Sequence, residues 1–136
     1  MMVAMTTQSG LQEAEPAMDL ATLLRLQQLV RDIEIGEHLV RYATRLVRAT
    51  RPGETTVEAV KKHIGWGAGP RAGQALVLAS KARALMQGRL AVTRDDIQAM
   101  LTPVLAHRVL RNFEAEADGV AIADVLQALR NEIKVP

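Results

Sequence analysis

One short segment combines the residue types that can bind an anion. Gly65, Gly67 and Gly69 lead directly into Pro70 and Arg71. Proline is favoured at the first position of a helix, which places Arg71 at the positive end of the helix dipole, where a cation is disfavoured unless an anion is bound. Glycine amides approach a ligand closely, and a guanidinium can hold a phosphate through two parallel hydrogen bonds. The alternative is a solvated Arg71, whose mismatch costs only about 0.3–1 kcal/mol, and spacing alone slightly favours that alternative.

Other catalytic and metal-binding patterns are missing from the sequence. There is no cysteine, which excludes disulfides, thiolate metal sites and cysteine nucleophiles. His38, His63 and His107 share no ligand spacing, so we predict no metal site. Asp95 and Asp96 fall in the first turn of a predicted helix, where carboxylates complement the dipole, and this role is favoured over an acid and base pair. The chain alone therefore shows no enzyme chemistry.

The composition limits the class of protein. A chain of 136 residues, 49% of them hydrophobic, is long enough for one domain with a core. The formal net charge is only +2 and aromatic residues make up 2% of the chain, which argues against nucleic acid as a partner. No apolar run approaches the roughly 18 residues that a membrane span needs. The N-terminal segment lacks the pattern of a signal peptide, so a cytoplasmic location is the default expectation.

The elements that must position this segment are helical. Residues 1–18 lack a helical period and are expected to be a disordered tail or a severed linker, and residues 19–136 form the helical domain. Helix boundaries are predicted at a capping Asp19, Gly36, Pro52, Pro70, Gly88 and the capping box Thr93–Asp96; Pro103 kinks or divides one helix, and the last helix carries Ile122 to Ile133. No stretch is typical of paired strands. We predict an all-α fold, a small bundle of five to six helices.

Three helix faces have distinct compositions. The first predicted helix has a broad apolar face formed by Leu20, Leu23, Leu24 and the apolar residues from Leu26 to Val30. The second carries an arginine row on its outer face, which is typical of a solvated surface: Arg41, Arg45 and Arg48. The helix after Pro70 is rich in small residues, and its predicted buried face consists of Ala75, Leu78, Ala79, Ala82, Leu85 and Met86. Small residues allow close packing, so this helix is placed at the centre of the domain.

Several short motifs occur in a fixed order with suitable gaps. They are Tyr42 with Ala49-Thr50-Arg51, residues 66–72, residues 81–85, Gly88-Arg89, Val92-Thr93 with residues 95–97, residues 103–105 with His107-Arg108, and Ala115-Glu116 with Gly119. Together they resemble the C-terminal lid domain of MoxR-type AAA+ ATPases, over about Asp19 to Val135. The sequence departs from the family pattern at Gly69, where many members have serine. That departure leaves the following arginine in place.

The resemblance implies a role for the glycine-rich segment. Arg71 corresponds to the sensor-2 arginine, which meets the γ-phosphate of ATP, and Gly67, Ala68, Gly69 and Pro70 complete a nucleotide-binding segment. The sequence contains neither a Gly-x-x-x-x-Gly-Lys-Ser/Thr loop nor an apolar strand ending in Asp-Glu. ATP and Mg²⁺ are therefore expected only in a full-length protein whose core precedes the lid. The chain alone is expected to bind no cofactor tightly and to be inactive.

The resemblance also implies partners. They are an N-terminal AAA+ core, a homo-oligomeric ring, and proteins with von Willebrand factor A domains, in a chaperone-like role in maturing partner complexes. Because a lid packs against a core, we expect an exposed apolar patch around Trp66. The alternative is a stand-alone helical adaptor or a weak nucleic-acid-binding module that uses the basic residues Arg41, Arg45, Arg48, Lys81, Arg83 and Arg89.

Overall fold

The computed structural model describes residues 15–135 and is predominantly helical. Its elements in chain order are α1 (Leu20–Asp32), α2 (Glu37–Arg48), a 3-10 turn (Pro52–Glu54), α3 (Glu58–His63), β1 (Ile64–Trp66), α4 (Pro70–Met86), α5 (Arg94–Leu105), β2 (Leu110–Arg111), α6 (Phe113–Ala117) and α7 (Ile122–Glu132). The predicted small helical bundle is confirmed. The structure adds one five-residue helix, α6, to the helices that the sequence predicts. Most of the predicted tail, residues 1–14, lies outside the described residues.

Local sequence signals explain where the helices begin. The Asp19 carboxylate accepts a hydrogen bond of 2.7 Å from the amide of Thr22 and so caps α1. Pro70 occupies the first turn of α4, where its missing amide proton costs nothing. Thr93 and Asp96 form the predicted capping box at the start of α5. α5 then continues through Pro103 as one helix and is not divided.

A small sheet corrects the expectation that no strands pair. β1 and β2 are antiparallel, with Ile64 opposite Arg111 and Trp66 opposite Leu110. Glu34 also forms an isolated parallel bridge with Ala91. Segments of two or three residues are too short to show an alternating pattern, so their pairing depends on the helices that bring them together.

α4 lies at the centre of the bundle, as predicted, but it buries a different face. It packs against α1, α2 and α5, while α7 packs against α3 and α5. The buried residues of α4 are Ala72, Leu76, Ser80 and Ala84, whereas Leu78 and Met86 of the predicted face are exposed. α4 is apolar around most of its circumference, so its periodicity did not distinguish the two faces.

α1 is the least buried helix of the described chain. None of its residues is buried, and Leu20 is 70% exposed. The predicted apolar face therefore faces largely away from the core. α1 is held at its C-terminal end, where the Lys81 ammonium donates a hydrogen bond of 2.7 Å to the carbonyl of Arg31. Among the described residues, no helix has the length and apolar character needed to cross a membrane.

Candidate functional site

The glycine-rich segment forms a tight connection between β1 and α4. Gly69 is the N-cap residue of α4, Pro70 follows at the first helical position, and Arg71 comes next. The Arg71 side chain is exposed and makes no hydrogen bond or ion pair with residues 15–135. The structure therefore places this guanidinium in solvent at the positive end of a helix of 17 residues.

The connection is attached to the end of α2 by a buried hydroxyl. Thr50, which is 1% exposed, donates from Oγ1 to the carbonyl of Val47 at 2.6 Å. The same oxygen accepts a hydrogen bond of 2.8 Å from the amide of Ala68. Ala68 is fully buried, so its methyl group cannot touch a ligand and its amide is already engaged. Ala68 therefore serves to fix the position of the segment.

The next residue, Arg51, contacts the same connection. Its Nε donates to the carbonyl of Ala68 at 3.3 Å, and its Nη1 donates to Glu54 at 2.9 Å. Glu54 also accepts a hydrogen bond of 3.0 Å from Arg48. Arg51 and then Arg48 hold the pKa of the Glu54 carboxyl below its usual range. Both polar backbone groups of Ala68 are thus held by two consecutive residues.

The two glycines that flank Ala68 have different surroundings. A Cβ atom on Gly67 would lie 2.6 Å from the carbonyl oxygen of Thr50 and 2.8 Å from the Cα of Arg51. These are backbone atoms, so only glycine allows this approach. A Cβ atom on Gly69 would meet nothing within 4 Å. This open space would accommodate a serine, which many members of the family that the sequence resembles have at this position.

An open groove of about 690 Å³ runs between α2 and α4, beside the segment. Its lining residues are Arg31, Val40, Thr44, Val47, Arg48, Arg51, Pro70, Gly73, Gln74, Val77, Leu78 and Lys81. Four of these residues are cationic and none is acidic. Arg71 lies on the same side of α4 as Gln74 and Leu78, because residues three and seven positions apart share a helix face. The groove therefore opens on the side of α4 that also carries Arg71.

A second, smaller cavity is lined by the segment itself. It measures about 320 Å³ and is lined by Arg51, Pro52 and residues 65–69. Trp66 borders it and is 73% exposed, which confirms the expected exposure of this side chain. Its cross-strand neighbour Leu110 and the nearby Phe113 are 62% and 86% exposed. The small sheet and the first residue of α6 thus carry large apolar side chains on the surface.

Most of the predicted basic residues do not form a free cationic patch. Arg83 and Arg89 are both bound to the buried carboxylate of Asp96, at 2.8 Å and 2.7 Å. Arg41 pairs with Glu37 at 2.9 Å on the surface of α2. The arginine row Arg41, Arg45 and Arg48 is exposed, as predicted for a solvated face. No group of metal-binding side chains occurs among residues 15–135.

Sequence reasoning did not assign two parts of this site. Thr50 continues the helical spacing of the buried residues of α2, and a buried hydroxyl needs a hydrogen-bond partner, which was the available signal. That signal does not identify Ala68 as the partner. The groove depends on which face of α4 is buried, and the periodicity of α4 indicated a different face.

The sequence and the fold match a known class of helical domain. Residues 56–129, more than half of the chain, match the sequence profile of the AAA lid domain. The chain belongs to the AAA lid domain family. In the crystal structure of a candidate ATPase from Cytophaga hutchinsonii, a region 31% identical in sequence superposes with a TM-score of 0.81. The match covers 85% of this chain and 36% of that chain.

The curated relatives identify the type of lid. Chaperone MoxR1 of Mycobacterium tuberculosis is 30% identical over 125 residues, which cover 91% of this chain and 33% of that protein. Protein MoxR of Paracoccus denitrificans is 36% identical over 93 residues, which cover 62% of this chain and 27% of that protein. The chain spans about a third of the length of these relatives. It is a lid domain of the MoxR type.

Proposed function

We propose that this chain is the nucleotide-sensing lid of a MoxR-type AAA+ ATPase, and that Arg71 is its sensor-2 arginine. The observation that carries the proposal is the exposed Arg71 at the start of α4, with no partner among residues 15–135. A cation in that place is stabilised by an anion, and a guanidinium suits a phosphate. Gly67, Ala68, Gly69 and Pro70 fix the backbone that presents it.

In this proposal the lid acts together with an ATPase core. The core holds ATP and Mg²⁺, and Arg71 reaches the γ-phosphate when the lid closes. There the guanidinium stabilises charge on the transferring phosphoryl oxygens, and loss of the γ-phosphate after hydrolysis releases the lid. The surface of Trp66, Leu110 and Phe113 supports a docking role, since exposed apolar side chains favour packing against another domain.

The wider role follows from the relatives. One relative is named a chaperone, and we extend that role to this lid within a ring homo-oligomer in the cytoplasm. Its clients would be complexes whose maturation involves proteins with von Willebrand factor A domains. Pull-down of such proteins by the ring, and its loss when the lid is deleted, tests this part of the proposal.

The decisive experiment is steady-state ATP turnover by a protein that joins this lid to its core. Arg71→Ala should lower kcat by about 10²–10³, as the loss of one preorganised donor does. Arg71→Lys should restore the rate only in part, because an ammonium lacks the two-pronged geometry of a guanidinium. The control is Arg45→Ala on the exposed face of α2, which should stay within a few-fold of wild type. Equal turnover for Arg71→Ala and wild type would remove Arg71 from the mechanism.

The isolated chain supplies a second test. We expect it to hydrolyse no ATP and to bind ATP weakly, because it lacks the phosphate-binding loop and the magnesium-binding carboxylates. Micromolar affinity by calorimetry would contradict this expectation. The size of the native protein in cell extract separates the proposal from a stand-alone helical adaptor. About 35 kDa supports a lid joined to a core, and about 15 kDa supports the adaptor.

A further inference from the structure

Thr50 and Arg51 form a two-residue contact with the segment that carries Arg71. The buried Thr50 hydroxyl binds the amide of Ala68 at 2.8 Å, and the Arg51 Nε binds the carbonyl of Ala68 at 3.3 Å. Ala68 is three residues before Arg71 and is fully buried. The two peptide groups that flank the Cα of Ala68 are therefore both held just before α4 begins.

The fit around Gly67 makes this contact specific. The backbone of Gly67 is so close to Thr50 and Arg51 that a Cβ atom would lie within 2.6–2.8 Å of their main chain. Hydrogen bonding and close packing thus act on adjacent residues of the same segment. Only Gly69 separates Ala68 from Pro70, the first residue of α4, so the contact fixes the backbone at the point where it enters the helix that carries Arg71.

We propose that Thr50 and Arg51 are positioning residues that set the direction of Arg71 through Ala68. This proposal rests on the proposed sensor-2 function of Arg71. Thr50 is the main determinant, because its hydroxyl is buried and its two hydrogen bonds are short. Arg51 adds a longer bond from a side chain that is 33% exposed and is shared with Glu54. Misplacing a reacting group by about 1 Å can cost a factor of about 10² in rate.

The first test uses this chain alone and needs no activity. Thr50→Val keeps the side-chain shape but removes the acceptor of the Ala68 amide. We expect hydrogen exchange at the Ala68 amide to become about tenfold faster. Trp66 is the only tryptophan and lies two residues from Ala68, so its fluorescence anisotropy should fall. Thr50→Ser, which keeps the hydroxyl, should restore both readouts.

A matched control separates positioning from general stability. Ser80→Ala removes another buried hydroxyl, which donates to the carbonyl of Leu76 at 2.7 Å within α4. It should leave the Ala68 exchange and the Trp66 anisotropy at the wild-type values. If Thr50→Val does not fold, Arg51→Met tests the same contact and should speed the Ala68 exchange by a smaller factor. Wild-type exchange and anisotropy in folded Thr50→Val, or in Arg51→Met when only that variant folds, would overturn the proposal.

The second test is a double-mutant cycle on turnover, measured in the protein that joins lid and core. Thr50→Val should lower kcat about tenfold with KM changed less than about twofold. In the Arg71→Ala background, Thr50→Val should lower kcat by less than about twofold, because it acts through Arg71. An equal loss in both backgrounds would overturn the positioning role. If Arg71→Ala alone has no effect, the sensor-2 function fails, while the exchange and fluorescence test still decides whether Thr50 holds Ala68.

Discussion

The two ends of α4 hold arginines in opposite environments. At the C-terminal end, Arg83 and the nearby Arg89 bind the carboxylate of Asp96, which is fully buried. Asp96 also accepts a hydrogen bond of 2.9 Å from the amide of Thr93. At the N-terminal end, Arg71 lies in solvent and has no partner among residues 15–135. α4 thus contributes Arg83 to a complete ion cluster near its C-terminal end and presents Arg71, without a partner among the described residues, at its N-terminal end.

Under the proposed function, the difference separates residues that stabilise the fold from a residue that binds a ligand. Cations near the C-terminus of a helix are favourable, and Asp96 further neutralises Arg83 and Arg89. A cation in the first turn is unfavourable, yet Arg71 is presented there by a backbone that Thr50 holds. The Asp96 cluster has all its partners within the domain. The Arg71 end gains its partner only from outside the described chain, under the proposed function.

The largest expected effect on stability concerns the C-terminal end of α4, where Asp96 binds two arginines. Asp96→Asn removes the buried charge that Arg83 and Arg89 share, and weakens the capping of α5. We expect the free energy of unfolding to fall by about 3 kcal/mol, measured by urea denaturation. Asp95→Asn in the same helical turn is the control. Asp95 is exposed, so its loss should be less than about 1 kcal/mol. Similar losses for the two variants would contradict the structural role of Asp96.

Low pH should weaken the ion cluster of Asp96, Arg83 and Arg89 at the C-terminal end of α4. The Arg89 guanidinium, with further hydrogen bonds from Thr93 and Arg83, holds the pKa of Asp96 well below its usual range. A carboxyl whose pKa is lower in the folded state contributes its full stability above its unfolded pKa of about 3.9. That contribution is lost as the pH falls toward the folded pKa. The stability difference between wild type and Asp96→Asn should therefore shrink between about pH 5 and pH 2. A constant difference over this range would exclude Asp96 as the titrating group.

Substitutions at two glycines test the close backbone approach near the N-terminal end of α4. Gly67→Ala forces a Cβ atom against the main chain of Thr50, and we expect it to destabilise the domain by about 1–3 kcal/mol. Gly73→Ala in the interior of α4 meets nothing within 4 Å and should stabilise the domain by about 0.5–1 kcal/mol. Thermal denaturation of the two variants shows whether each substitution stabilises or destabilises the domain. The same sign for both would contradict the close approach at Gly67.

Local chemistry was the most predictable part of the fold. The cap at Asp19, Pro70 at the start of α4 and the capping box of Thr93 and Asp96 were predicted correctly, because each depends on neighbours within four residues. The role of Asp96 was only partly predicted. Its place in the first turn was correct, but its two arginine partners come from α4 and the following loop, which sequence spacing does not bring together.

Long-range features were less predictable. The prediction of the buried face of α4 was wrong. Alanines and leucines surround the helix, so its packing against α5 decides which side is covered. The β1 and β2 pair was missed, because such short strands have no period of their own. The segment containing Arg71 was found from its residue types and from the family resemblance. The hydrogen bond by which Thr50 holds this segment could not be predicted, because it depends on how α2 packs against α4.

The smallest expected effect is the stability change on removing Arg71. In this chain alone, Arg71→Ala should change the free energy of unfolding by less than about 0.5 kcal/mol, because the guanidinium is exposed and has no partner among residues 15–135. Any change should be stabilising, since a cation leaves the positive end of the dipole. Arg89→Ala, which removes a partner of the buried Asp96, should instead lower the free energy of unfolding clearly more than Arg71→Ala does in the same urea titration. An equal cost for both variants would mean that Arg71, like Arg89, has its partner within this chain, and the distinction between the two ends of α4 would not hold.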